Sequence, residues 1–162
     1  MTDFAALLEA LAANDVQFIL IGGLAAAAHG SARSTLDVDV VYERDLANVE
    51  RLVKALAPYG PYRRGVPPGL PFRWGRETLL QGLNFTLTTT LGAIDLLGEI
   101  AGGGSYHALR DHTVSLRLFG RDYLCLDLPT LIHVKRAAGR PKDLEAIAEL
   151  EILLEQQDGP NG

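Results

Sequence analysis

Two carboxylates stand two residues apart in the run Leu36-Asp37-Val38-Asp39-Val40. Alternate residues of an extended chain point the same way, so Asp37 and Asp39 share a face with their oxygens close together. Like charges that near raise each other's pKa, a cost with little structural purpose. A hard divalent cation relieves it, and magnesium prefers carboxylate oxygens together with phosphate oxygens. A third carboxylate on a neighbouring strand would complete such a centre. Asp95 qualifies, because it interrupts the apolar run Ala93-Ile94-Asp95-Leu96-Leu97, where a charge needs a partner or a metal unless it faces water at a strand end. The same period of two carries Thr35 and Arg33 to the side of the aspartates, where they can help hold a phosphate.

Ahead of them, Gly22-Gly23 closes the β-branched run Val16 to Ile21 and precedes an alanine-rich stretch. A strand that turns into a helix there directs free backbone N–H groups and the helix dipole outward. Without Cβ atoms, the turn admits a phosphate chain close to the backbone. Taken singly, each feature has an ordinary reading. A glycine pair ends many strands, and Asp-x-Asp can line the solvent face of an edge strand. Their combination is what points to a cation-assisted phosphate site.

These residues need elements to hold them. Phe4, Leu7, Leu8 and Leu11 recur at helical spacing, and Asn14-Asp15 ends that helix. Strands are expected at Val16 to Ile21 and Leu36 to Tyr42, with a short helix from Leu24 to His29 between them. Asp45 can cap a helix whose apolar face is Leu46, Val49, Val53 and Leu56. Residues 58 to 75 read as a loop rich in proline, glycine and aromatics. Hairpins follow at 84–90 with 93–97 and at 114–119 with 122–126, separated by a flexible glycine link at 102–104. Helices at 128–138 and 142–156, broken by Gly139, complete a single α+β domain with a mixed sheet flanked by helices; residues 157–162 read as a disordered tail.

Composition narrows the partners. The 162 residues are 48% hydrophobic and 22% charged, the mixture of a soluble globular chain. The net charge of −5 argues against broad electrostatic binding to nucleic acid. Arg63, Arg64, Arg73 and Arg76 nevertheless fall together in a stretch with no acid, beside Tyr59, Tyr62, Phe72 and Trp74. Such a stretch can clamp a base or a nucleic-acid end, or simply pack its aromatics on the body. Cys125 sits in an apolar run and reads as core. His29, His107, His112 and His133 lack paired ligand spacing, so none is assigned to zinc. No secretory leader or membrane-spanning run is evident, which predicts a cytoplasmic protein with no membrane partner.

The segment Gly22-Gly23 followed by Arg33-x-Thr35-x-Asp37-x-Asp39 resembles the signature of minimal nucleotidyltransferases of the DNA polymerase β superfamily. In style it is similar to the AbiEii-like proteins of bacterial toxin–antitoxin systems, which also carry a Gly-Gly turn. Leu24 takes a place that is serine in the wider superfamily, so a hydroxyl contact to phosphate is missing. The run from Lys135 to Asp143 resembles the helix junction of the AbiEii-like proteins. The resemblance implies a nucleotidyltransferase-like fold with C-terminal helices, and Mg2+ or Mn2+ at Asp37, Asp39 and Asp95. It also implies a nucleoside triphosphate, such as ATP, against Gly22, Gly23, Arg33, Thr35 and Lys135, with Asp143 supporting the site. The acceptor would be a tRNA end, a hydroxyl of a partner protein or a small molecule, and a cognate toxin or antitoxin is an implied partner. The alternative is a catalytically weak module of the same fold that binds nucleotide or a partner protein.

Overall fold

The computed structural model describes residues 1–158. The first helix, α1 (Phe4–Ala13), is capped by the Asp3 carboxylate, which accepts from the Ala6 N–H, and it ends at Asn14. Strand β1 (Phe18–Ile21) leads directly into α2 (Gly22–Ala28), so the glycines lie inside the first turn of the helix rather than before it. Strand β2 (Asp37–Tyr42) and α3 (Leu46–Leu56) follow, with Asp45 capping α3 as its sequence predicts.

The segment expected to be loop holds more structure than its composition predicts. A 3-10 turn at Ala57–Tyr59 precedes the two-residue strand β3 (Tyr62–Arg63), and helix α4 (Arg76–Gln81) follows. Strands β4 (Asn84–Thr89) and β5 (Gly92–Leu97) form the first expected hairpin. The glycine link is not free chain. Strand β6 (Glu99–Ile100) pairs with β7 (Gly104–Ser105), and Gly102 turns between them at φ +76°. After the short helix α5 (Tyr106–Leu109), strands β8 (Thr113–Leu118) and β9 (Arg121–Leu126) make the second expected hairpin.

Two helices close the described chain, α6 (Leu128–Ala138) and α7 (Pro141–Gln157), separated by Gly139 in the left-handed conformation. Helix α7 therefore includes Gln157, which was expected to begin a disordered tail. The remainder of that expected tail, residues 159–162, lies outside the described residues.

Among the described residues, seven strands form one mixed sheet in the order β3-β4-β5-β2-β1-β9-β8. Strand β2 runs antiparallel to β1 and parallel to β5, and β4 is antiparallel to β5. Alternation divides the faces of the central strands. Val38, Val40, Ile94, Leu96 and Leu87 are fully buried on one side, in a core with Leu7, Leu11, Val49, Leu52 and Leu79 from the helices. Asp37, Asp39 and Asp95 project to the other side. Cys125 is fully buried and desolvation pushes its thiol up to about 12, so it is core rather than nucleophile.

One buried amide fixes the far end of the β1–β2 ladder. Asn48, at the start of α3, donates to the carbonyls of Gln17 (3.0 Å) and Glu43 (2.7 Å) and accepts from the Gln17 N–H (2.7 Å). It joins the residue entering β1 to the residue leaving β2, and so sets the register that brings Ile21 opposite Asp39. Asn48→Ala removes three hydrogen bonds and leaves the Glu43 carbonyl and the Gln17 N–H without these partners, while the Gln17 carbonyl still accepts from the Glu43 N–H at 3.2 Å. Chemical denaturation should show a loss of about 2 kcal/mol with an unchanged m-value.

Candidate functional site

The sheet register assembles the centre. Across adjacent strands, Ile21 lies opposite Asp39, Asp39 opposite Asp95, and Asp95 opposite Thr86. Side chains in one such row share a face. Asp37 lies two residues along from Asp39 on the same side. One oxygen from each of Asp37, Asp39 and Asp95 lies within 4.8 Å of the other two. The expected convergence of three carboxylates from two separate strands is therefore present.

Gly22 packs against this cluster. It has a φ of +68°, and a Cβ there would collide with the Asp39 carboxylate. A Cβ on Gly23 would approach Thr35 Oγ1 to 2.7 Å. Both glycines are thus required by close approach, one to the acid and one to the threonine. Ile21 offers no side-chain cap to the α2 N-terminus, where Gly22 and Gly23 line the cleft. Leu24, the next residue, is buried in the core and offers the turn no hydroxyl.

The cleft has two lobes. The first, about 450 Å³, lies between the glycine turn, the 31–36 loop and helix α7. The second, about 340 Å³, lies between β5 and helix α6, with Asp95 on its polar side and Leu97, Leu131 and Val134 among its apolar walls. Gly22, Asp37, Asp39, Lys135 and Asp143 border both lobes. Thr35 and Arg33 line the first, although not by strand periodicity, because β2 begins only at Asp37. Thr35 instead packs over Gly23, and Arg33 turns toward Glu145 of α7 at 3.7 Å.

The junction of α6 and α7 brings cations to this ridge. Lys135 Nζ stands 3.9 Å from Asp143 Oδ1. Asp143 is almost fully buried and serves as the N-terminal clamp of α7, accepting from the Arg140 backbone N–H (3.2 Å) and from Arg140 Nε (2.8 Å). Burial alone would raise the Asp143 pKa. Hydrogen bonds and charge from Arg140, with the charge of Lys135, outweigh it and hold the group below the usual carboxylate range. Burial lowers the Lys135 pKa, against the opposing charges of Asp143 and Asp39.

Three cationic residues join the site beyond those expected. Arg140 and Lys142 line both lobes. Arg64, grouped by its sequence neighbours with an aromatic clamp, reaches instead across Thr86 to the carboxylates. It bonds Asp95 through Nη2, and its Nη1 lies 3.4 Å from Asp37. The Arg64 N–H donates to the Thr86 carbonyl, which puts Arg64 in the same cross-strand row as Asp95 and Asp39. Nothing in the local sequence signals this, because it depends on the pairing of β3 with β4. The rest of the expected clamp is partly self-satisfied: Arg63 stacks over Phe72 at 5.3 Å, Arg76 pairs with Glu50, and the Trp74 indole donates to the Val53 carbonyl. His29 caps α2 and pairs with the Leu126 carbonyl at 2.7 Å.

Comparison with models of known protein families gives no match, and neither does comparison with curated proteins. A solved structure does match: an antigenic nucleotidyltransferase-like protein from Paracoccidioides brasiliensis, with a TM-score of 0.55 over 90% of this chain and 72% of that one, at 13% identity. The chain has a nucleotidyltransferase-like fold. At that identity the likeness concerns the fold, and the chemistry rests on the side chains above. Among the described residues, no helix is long and apolar enough to cross a membrane.

Desolvation, then the neighbouring carboxylates of Asp95 and Asp37, push the Asp39 pKa from 3.8 up to about 8, and Lys135 only partly opposes them. Between those values the folded chain keeps a proton that the unfolded chain has lost. The contribution of Asp39 to stability therefore falls as pH rises from 3.8 through about 8, and is level beyond. In chelator-treated protein, Asp39→Asn should unfold at nearly the same temperature as wild type near pH 4, and on the order of 10 °C higher at pH 8. Thermal melts across that range check this, and a gap independent of pH would contradict it.

Proposed function

We propose that the chain is a nucleotidyltransferase that moves a nucleoside monophosphate from a nucleoside triphosphate to a hydroxyl acceptor. The observation that carries this reading is the convergence of Asp37, Asp39 and Asp95 beside the Gly22 turn, on a nucleotidyltransferase-like fold. The three carboxylates suit a hard divalent cation, since they offer only oxygen, lie within one coordination sphere and repel one another without a counterion. Asp37 and Asp39 would hold both magnesium or manganese ions, and Asp95 the second of them. When bound, such ions stabilise the attacking and leaving oxygens of an in-line displacement.

The remaining work falls to the chain's own groups. Gly22 and Gly23 let the triphosphate lie against the N-terminus of α2, and Thr35 and Arg33 border the same lobe. Lys135, held by Asp143, faces the carboxylate ridge and neutralises charge on the phosphates as pyrophosphate leaves. Asp95 takes the proton of the attacking hydroxyl, whose oxygen forms the new bond to the α-phosphorus as the bond to pyrophosphate breaks. The second lobe, on the Asp95 side, is where an acceptor would meet that base. The acceptor classes are a tRNA end, a partner protein's hydroxyl or a small molecule, and a place in a toxin–antitoxin pair is the biological setting that the sequence resemblance supports.

Two observations favour a second reading, a weakly catalytic module that binds nucleotide or a partner protein. Arg64 covers part of the carboxylate cluster, and Leu24 supplies no hydroxyl to a phosphate. A labelling experiment separates the two. The protein is incubated with labelled nucleoside triphosphates, Mg2+ or Mn2+ and cell extract, and label on RNA, protein and small molecules is followed. The enzyme reading expects transfer that falls more than about a hundredfold in Asp37→Ala/Asp39→Ala. Transfer that survives that double substitution contradicts the mechanism, and tight nucleotide binding without transfer selects the module.

A further inference from the structure

Arg64 immediately follows the two-residue edge strand β3, outside every motif that marks the site, yet it makes the closest cationic contact to the carboxylates. It bonds Asp95 and approaches Asp37, so its guanidinium bridges the two acids that stand on different strands. Lys135 lines the same lobe, paired with Asp143, and its charge acts on Asp39 from beyond ion-pair distance. Asp37 and Asp95 therefore have a cation of the chain's own in contact, whereas Asp39 has none at ion-pair distance among the described residues.

The contact is incomplete. Nη1 is shielded from solvent but makes no hydrogen bond, since its approach to Asp37 is an ion pair without hydrogen-bond geometry. A guanidinium matched to its site would use both arms in a bidentate fork. Room to withdraw is also present. A groove of about 290 Å³ adjoins Arg64 on the open side of β4, bordered by Val66, Asn84 and Thr86. The side chain is itself 28% exposed, at the rim of the sheet rather than in the core.

We propose that Arg64 is a displaceable internal counterion. In the metal-free chain it holds Asp37 and Asp95 together against their repulsion, and a divalent cation binds only by driving it off the carboxylates into the adjoining groove. Arg64 is a positioning residue in this role, acting through the two aspartates. The inference rests on the reading of the carboxylates as a cation site, and it adds that the chain competes with the ion for them. The physical ground is that one cluster of acids cannot be fully neutralised twice: whatever the guanidinium contributes to the empty state, the ion must overcome.

Mn2+ titration of the full chain, followed by the loss of the free-ion electron paramagnetic resonance signal, tests this directly. Arg64→Gln should bind Mn2+ roughly tenfold more tightly than wild type, and its melting temperature in chelator should fall, because the acids have lost their counterion. Arg64→Lys, which keeps one point charge but not the fork, should lie between the two. Adding Asp37→Ala and Asp39→Ala to the Arg64→Gln chain should abolish the gain. Unchanged or weaker Mn2+ binding in a folded Arg64→Gln chain overturns the inference while leaving the cation site standing, and so does a gain that persists without the two aspartates. Absence of Mn2+ binding from both wild type and Arg64→Gln overturns the inference and the underlying site together.

Discussion

Three carboxylates held within 4.8 Å on one face of a sheet repel one another, and most of what surrounds them answers that repulsion. Asp39 keeps its proton far above the usual range, Arg64 bridges Asp95 to Asp37, and the charge of Lys135 acts on Asp39 from further off. Each is a partial remedy. A chain under no demand to keep three acids together could replace one by an amide or an alcohol and remove the cost outright. Retaining all three, next to a glycine turn that any side chain would block, is understandable if a multivalent ion and an anionic ligand occupy the space.

The sheet makes this arrangement hold. A slip of one residue between β1 and β2 would turn Asp37 and Asp39 into the core and Val38 and Val40 into the cleft, a change that burial of the valines forbids. The hydrophobic core thus fixes the site through register, and Asn48 reinforces it from the opposite end of the ladder. Chemistry and stability share the same strands. The phosphate-facing side is assembled differently, from the α2 turn and the α6–α7 junction, elements that pack beside the sheet rather than within it.

Much of this was legible in the sequence, and the reasons differ by residue. Asp37, Asp39 and Asp95 were readable because alternation in a strand is a local property and an acid among valines and leucines is conspicuous. The glycine pair was readable as a turn, though the helix opens on the glycines themselves. Lys135 and Asp143 entered only through resemblance, since nothing local says that a lysine late in one helix meets an aspartate early in the next. Helix α4 was missed because six residues with only Leu79 buried leave no period to detect. Arg64 was grouped only with the arginines and aromatics beside it: its place at the carboxylates follows from a β3–β4 pairing between residues far apart in the chain, which no short window contains. Strand β3 is two residues long and sits in a segment whose prolines and glycines read as loop.

The most direct measurement is anomalous diffraction from crystals grown with Mn2+ and a non-hydrolysable nucleoside triphosphate. The account predicts manganese density shared by Asp37, Asp39 and Asp95, with the triphosphate against Gly22-Gly23 and within reach of Lys135. Manganese bound elsewhere, or a nucleotide seated away from the glycine turn, would contradict it.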